Sequence, residues 1–320
     1  MKLKDFYKTA IETGMQHDPR GIQAVKKELK ERNEAFKKLT KEEQDEFDSE
    51  SLVNPYADSR IICGNENKEI KRILVGIDVE ATEVLLADRL SQKENKPIDL
   101  CISHHPEGVA WAGFYEVMGI QADILANSGV PIHIGESLIQ ERMQEVSRKV
   151  HAANHNRAND AAQLLGMPLM CIHTAADNCV HSFVTKFIEK KKPERLENII
   201  EILKEIPEYK MATKDKAGPV IIKGGPKQKA GKILVEMTGG TEGHVKTYEN
   251  YAHAGISTIV CMHLSEDGFK EARKNHLNVI LAGHIASDSI GLNIVLDTVR
   301  KKEKIDIVAC SGFRRIERNS

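Results

Sequence analysis

The chain has 320 residues, 41% hydrophobic and 29% charged, an ordinary globular composition long enough for two domains. With 46 basic against 47 acidic residues the formal net charge is −1, which excludes a global basic field for non-specific nucleic-acid binding. No run approaches the roughly 18 apolar residues of a membrane span, and the start MKLKDFYKTAIETGMQ lacks the apolar core of a secretory signal, so no membrane partner and a cytoplasmic location are expected.

Residues 1–60 read as a helical N-terminal extension, rich in helix formers such as IQAVKKELKERNEAFKKL. Thr40 followed by Glu43 has the form of a capping box opening a further helix. NPYADS at 54–59 breaks the pattern. From residue 61 the texture changes to short apolar runs: IKRILVGID, IDLCIS, VPIHIG, PLMCIH, KILVEM, STIVCMH, LNVILAGH and KIDIVACSG. Helical patterns such as ATEVLLADRL, RANDAAQLLG and LNIVLDTVRKK separate most of them, as in parallel sheets buried on both faces. Six cysteines without a CxxC pair suggest neither a disulfide framework nor a zinc knuckle, and Cys101, Cys171 and Cys261 fall inside predicted strands. The expected class is α/β with two lobes of mainly parallel sheet. Residues 61–183 form the first lobe, and 184–320 a linker helix and the second.

Chemistry gathers where the strands end. IDLCIS leads to His104 and His105, PLMCI to His173, TIVCM to His263, and NVILAG to His284. Ligands of open α/β sheets collect beyond the carboxyl ends of parallel strands, and packing does not explain histidines delivered repeatedly to that edge. His173 and His284 are each followed four residues on by a carboxylate, Asp177 and Asp288. Each aspartate alone reads as a helix N-cap. Together with His104 and His105 these pairs make more ligand-type groups than one tetrahedral metal needs, and they suit a two-metal site.

SHHP at 103–106, HTAAD at 173–177 and AGHIASD at 282–288 resemble the Nif-three-like family of dinuclear-metal proteins, often labelled GTP cyclohydrolase 1 type 2 homologs. That family carries SHHP, HTNLD and AGHYATE in this order, each after a strand. KRILVGIDVEATEV at 71–84 is similar to its first strand and helix, and the resemblance runs over roughly residues 55–310. It implies two α/β lobes with the metals between them, and a homo-oligomer, in many members a hexameric ring. It also implies metal ligands at His104, His105, Asp177, His284 and Asp288, with His173 lining the site. The chain departs from the family in having Asp288 where a glutamate is usual, in an insertion over 130–157, and in its first fifty residues.

The expected function is a dinuclear-metal-dependent hydrolase acting through metal-bound hydroxide. Two divalent ions (Zn, Fe or Mn) serve it, with a GTP-cyclohydrolase-like or small phosphoester or nucleotide substrate. His173 or His263 is the candidate proton donor. The alternative is a non-catalytic metal-binding or metal-handling oligomer with a protein partner. Asp78, at the end of the first strand, reads either as a helix cap or as a carboxylate orienting a ligand histidine. HAANHNR at 151–157 reads as a polar loop between helices or as a lid recognising a polar or phosphorylated substrate. EMTGGTEGH at 236–244 reads as a tight strand-to-helix turn.

Overall fold

Runs rich in Val, Ile, Leu and Cys form the interior strands. β2 (Arg72–Gly76), β3 (Leu100–Ser103) and β4 (Leu169–Cys171) are buried at every position, as parallel strands covered on both faces must be. The computed structural model describes residues 1–318. Its first sheet has the order β1-β4-β3-β2-β9, where β1 (Ile61–Cys63) is antiparallel to β4 and β9 (Asp306–Ala309) is parallel to β2. Its second sheet holds β5 (Val220–Lys223), β6 (Lys232–Glu236), β7 (Ile256–Cys261) and β8 (Asn278–Leu281) in the order β5-β8-β7-β6. There β5 is antiparallel to β8, and the other pairs are parallel. The α/β class with two mainly parallel sheets is as expected.

Without β9 the two sheets have one strand order, β1-β4-β3-β2 against β5-β8-β7-β6. β3 therefore corresponds to β7, and β4 to β8. The strands that lead to His104 and His173 match those that lead to His263 and His284, which gives the similar strand endings of the halves a topological basis.

Local readings needed correction in three places. VPIHIG is not a strand but the start of a helix, Ile132–His151, whose Leu138, Ile139, Val146 and Val150 are buried at helical spacing. A short apolar run after a proline does not reveal its period until the residues beyond it are counted. The edge strands β1 and β5, short and only partly buried, went unread. KIDIVACSG, grouped by sequence with the second lobe, instead completes the first sheet beside β2. Asp306 there lies 3.3 Å from the Arg72 guanidinium and 2.6 Å from the Lys96 ammonium.

The N-terminal extension is packed against the body. Helix Leu3–Gln16 buries Leu3, Phe6, Ala10, Ile11 and Met15 against helices Thr174–Lys191 and His284–Lys302. Those two helices cross closely at Gly291, where a Cβ would lie 2.4 Å from the Ala176 carbonyl oxygen. Thr40 and Glu43 form the expected capping box, with reciprocal hydrogen bonds of 2.7 and 3.3 Å. The six cysteines are free. Among the described residues no helix is long and apolar enough to cross a membrane.

Candidate metal centre

His104 and His105 follow β3 directly: their amides donate to Gly76 O (3.0 Å) and Ile77 O (2.8 Å), which ties both to the end of β2 and the residue after it. Each imidazole is then tied at Nδ1. His104 Nδ1 donates to Ile172 O (2.9 Å), His105 Nδ1 to Asp78 Oδ1 (2.6 Å), and His173 Nδ1 to Asp58 Oδ2 (2.8 Å). A histidine held at one nitrogen presents the other as a lone-pair donor of fixed direction, the usual arrangement behind a metal ligand.

The free Nε2 atoms face the two helix carboxylates. His104 Nε2 lies 3.4 Å from Asp177 Oδ1 and 3.5 Å from Asp288 Oδ1. Asp288 Oδ2 lies 3.7 Å from His105 Nε2 and 3.6 Å from His284 Nε2. His173 Nε2 lies 3.7 Å from Asp177 Oδ2. Three overlapping groups have ligand atoms within 4.8 Å of one another: His104 with His105 and His173, His105 with His284 and Asp288, and His104 with Asp177 and Asp288. Asp177 and Asp288 are not N-caps. Asp177 lies in the first turn of the helix that begins at Thr174, and Asp288 just past the first turn of the helix that begins at His284; the preceding residues, His173 and Gly283, make no side-chain cap bond.

These buried groups could hold a metal ion. His104 Nε2, Asp177 Oδ1 and both Asp288 oxygens are buried without a hydrogen-bond partner. Buried carboxylate oxygens left so are costly, and a cation is what would offset them. Burial alone would raise the Asp288 carboxyl, but the neighbouring histidines, His104 foremost, hold it at about 2. Burial lowers His104, yet Asp288 and Asp177 outweigh it and raise that imidazole well above its ordinary value. On His284 burial wins, and its value falls.

His263 reaches the same cavity from β7 but belongs to none of the three groups. It is exposed, with its ring centroid 4.7 Å from that of His284. The cavity opens into a cleft of about 320 Å³ bordered by His105, Glu107, Trp111, Arg157, His263 and His284. Burial first, and the Glu80 carboxylate next, push Glu107 up to about 7. HAANHNR runs from the last residue of helix Ile132–His151 to the first of helix Arg157–Leu164, with a loop over 152–156 between them. His155 stands edge-on to Trp111 at 5.0 Å, and Arg157 faces the cleft.

Asp58 escaped the sequence reading. It is fully buried and accepts from Thr174 Oγ1 (2.6 Å) as well as His173 Nδ1, so it ties the start of the Asp177 helix to the chain before β1. Nothing in ADS at 57–59 announces this, because its partners lie more than a hundred residues away. Asp78 takes the orienting role at His105. Asp58→Asn and Asp78→Asn are each expected to weaken metal affinity by about 10–100-fold with the fold retained. Zinc titration beside circular dichroism checks this, and unchanged affinity in both variants would refute it.

An α/β protein with duplicated sheets and a histidine–aspartate centre between them is the class defined so far. No family model matches the sequence, and no curated protein matches it. Among solved structures the chain is similar to a NIF3 superfamily protein from Sphaerobacter thermophilus. That match has 29% identity and a TM-score of 0.71, covering 80% of this chain and 92% of that one. HcgD from Methanocaldococcus jannaschii matches at 15% identity and a TM-score of 0.48, over 84% of this chain and 94% of that one. A NIF3-related protein of Bacillus cereus matches at 12% and 0.43, over 79% and 90%. The Sphaerobacter likeness supports assignment of this chain to the NIF3-like family, the resemblance its motifs carry.

Proposed function

We propose that the protein is a dinuclear-metal-dependent hydrolase of small phosphoester or nucleotide substrates, GTP-cyclohydrolase-like chemistry included. In this reading His104, Asp177 and Asp288 hold one divalent ion, and His105, His284 and Asp288 hold the other. Zn, Fe and Mn suit such a mixed nitrogen and oxygen donor set. Ions bound there would supply an acidified water as nucleophile.

The rest belongs to the side chains. Asp58 and Asp78 fix the directions of His173 and His105. Arg157 offers a planar cation to an anionic substrate group at the cleft mouth. His263, outside the ligand groups and exposed, is free to pass a proton to a leaving group, and His173 is the alternative donor.

One observation carries the reading: both Asp288 oxygens are buried, unpartnered and turned toward different histidines. The open cleft beside them favours catalysis over a closed storage or structural site. The family resemblance adds a homo-oligomer, up to a hexameric ring, and the free cysteines suit a reducing compartment such as the cytoplasm.

Elemental analysis of reconstituted wild type beside His104→Ala and Asp177→Ala tests the proposal. Expected are about two ions per chain in wild type, a clear loss in both variants, and turnover in a screen of phosphoesters and nucleotides. Wild type that stays metal-free, or variants with full metal content, would overturn it.

A further inference from the structure

The cavity beside His284 has a second wall that the metal reading leaves unused. It is built from EMTGGTEGH and from Gln121 of helix Ile120–Ser128. Glu236 ends β6 and accepts one hydrogen bond, from Tyr251 Oη at 3.2 Å. Glu242 accepts from Tyr248 Oη (3.1 Å), Ser265 Oγ (3.0 Å) and the Ser265 amide (3.1 Å). Gln121 is 4% exposed, and its Nε2 donates to Gly239 O and Thr241 O, both at 2.6 Å. Those bonds set which way the amide points, and they leave Oε1 buried with no donor.

Among the described residues no Lys, Arg or His forms an ion pair with Glu236 or Glu242. Neither glutamate belongs to a group compact enough to share a metal ion. The wall therefore presents two carboxyl groups answered by neutral donors alone, with no cation of this chain beside them, and one amide oxygen with no donor. A buried acceptor without a donor is costly until something donates to it. What answers it must bring N–H groups and positive charge, and be larger than an ion.

We propose that Glu236, Glu242 and Gln121 form the subsite for a nitrogen-rich end of the substrate, an amidine-type edge with two N–H groups on one carbon. This deepens the hydrolase reading and rests on it for the reacting end alone, which would lie toward His284 and Asp288 along the same cavity. Gly239 (φ +94°) and Gly240 (φ +83°) let the loop turn back so that Thr238, Gly240, Thr241 and Glu242 line one wall. Glu236 agrees with this role: burial, with Glu242 adding to it, pushes its carboxyl up to about 7, and a bound cation would reverse that.

Benzamidine and its neutral counterpart benzamide are the probes, titrated calorimetrically into the full-length zinc-reconstituted protein. Benzamidine should bind at least about tenfold more tightly than benzamide. Glu236→Gln should remove that preference while zinc per chain stays at the wild-type value. Equal affinities of the two probes on wild type would overturn the subsite, with no variant needed. So would a folded Glu236→Gln protein that keeps the full preference. If wild type holds no zinc yet still prefers benzamidine, the hydrolase reading falls and the subsite stands.

Discussion

Asp288→Ala is expected to empty the centre, from about two ions per chain to well under one. The side chain is fully buried, with Oδ1 3.5 Å from His104 Nε2 and Oδ2 within 3.7 Å of His105 and His284. It belongs to both carboxylate-containing ligand groups, so its loss leaves neither complete. His284→Ala spares His104, Asp177 and Asp288, and about one ion should remain. Stability should follow binding, because a cation held only by the folded state adds about 2.7 kcal/mol at a hundredfold excess over its dissociation constant. Zinc should therefore raise the melting temperature of wild type far more than that of Asp288→Ala. Acid should weaken uptake: the carboxylates overcome burial and keep a proton on His104, which a cation has to displace. Elemental analysis and melting curves with and without zinc decide the matter. Full metal content in Asp288→Ala would mean that Asp177 and the histidines suffice.

Gly291→Ala should damage fold and site together. The added Cβ would stand 2.4 Å from the Ala176 carbonyl oxygen and 2.8 Å from its carbon, backbone atoms that yield only if the helices part. Overpacking of this kind costs about 1–3 kcal/mol. The better helix propensity of alanine returns up to about 1 kcal/mol. Crowding should win, and the melting temperature should fall by a few degrees. Ala176 adjoins Asp177, and Gly291 is one turn beyond Asp288. Forcing them apart therefore moves both carboxylates and should weaken zinc binding without touching a ligand. Gly119→Ala is the control, since a Cβ there meets nothing within 4 Å. Wild-type stability and zinc affinity in Gly291→Ala would show that the helix crossing tolerates the strain. The contact also bears on Asp288 itself, because a carboxylate one methylene shorter than glutamate needs its backbone close.

How much was legible in advance differs residue by residue. Taken alone, the adjacent imidazoles in SHHP read as readily as a polar loop, and His104 and His105 stood out only beside the histidines at the other strand ends. His173 with Asp177, and His284 with Asp288, were legible for a related reason: a histidine at a strand end and a carboxylate four residues on, where a helix starts, can aim into one cavity. The buried strands β2, β3 and β4 were plain from unbroken apolar runs. Asp58, by contrast, is one aspartate in a turn until folding sets it 2.8 Å from His173. The meeting of Asp177 with Asp288, the return of β9 to the first sheet and the approach of Gln121 to the Gly239 loop were hidden in the same way. VPIHIG failed because six apolar-rich residues fit either period. Spacing along the chain decides which side chains share a face of one element, because helix and strand geometry is local. Which elements then meet depends on packing between distant segments, and here packing alone joined two half-sets of histidines and aspartates into one cluster.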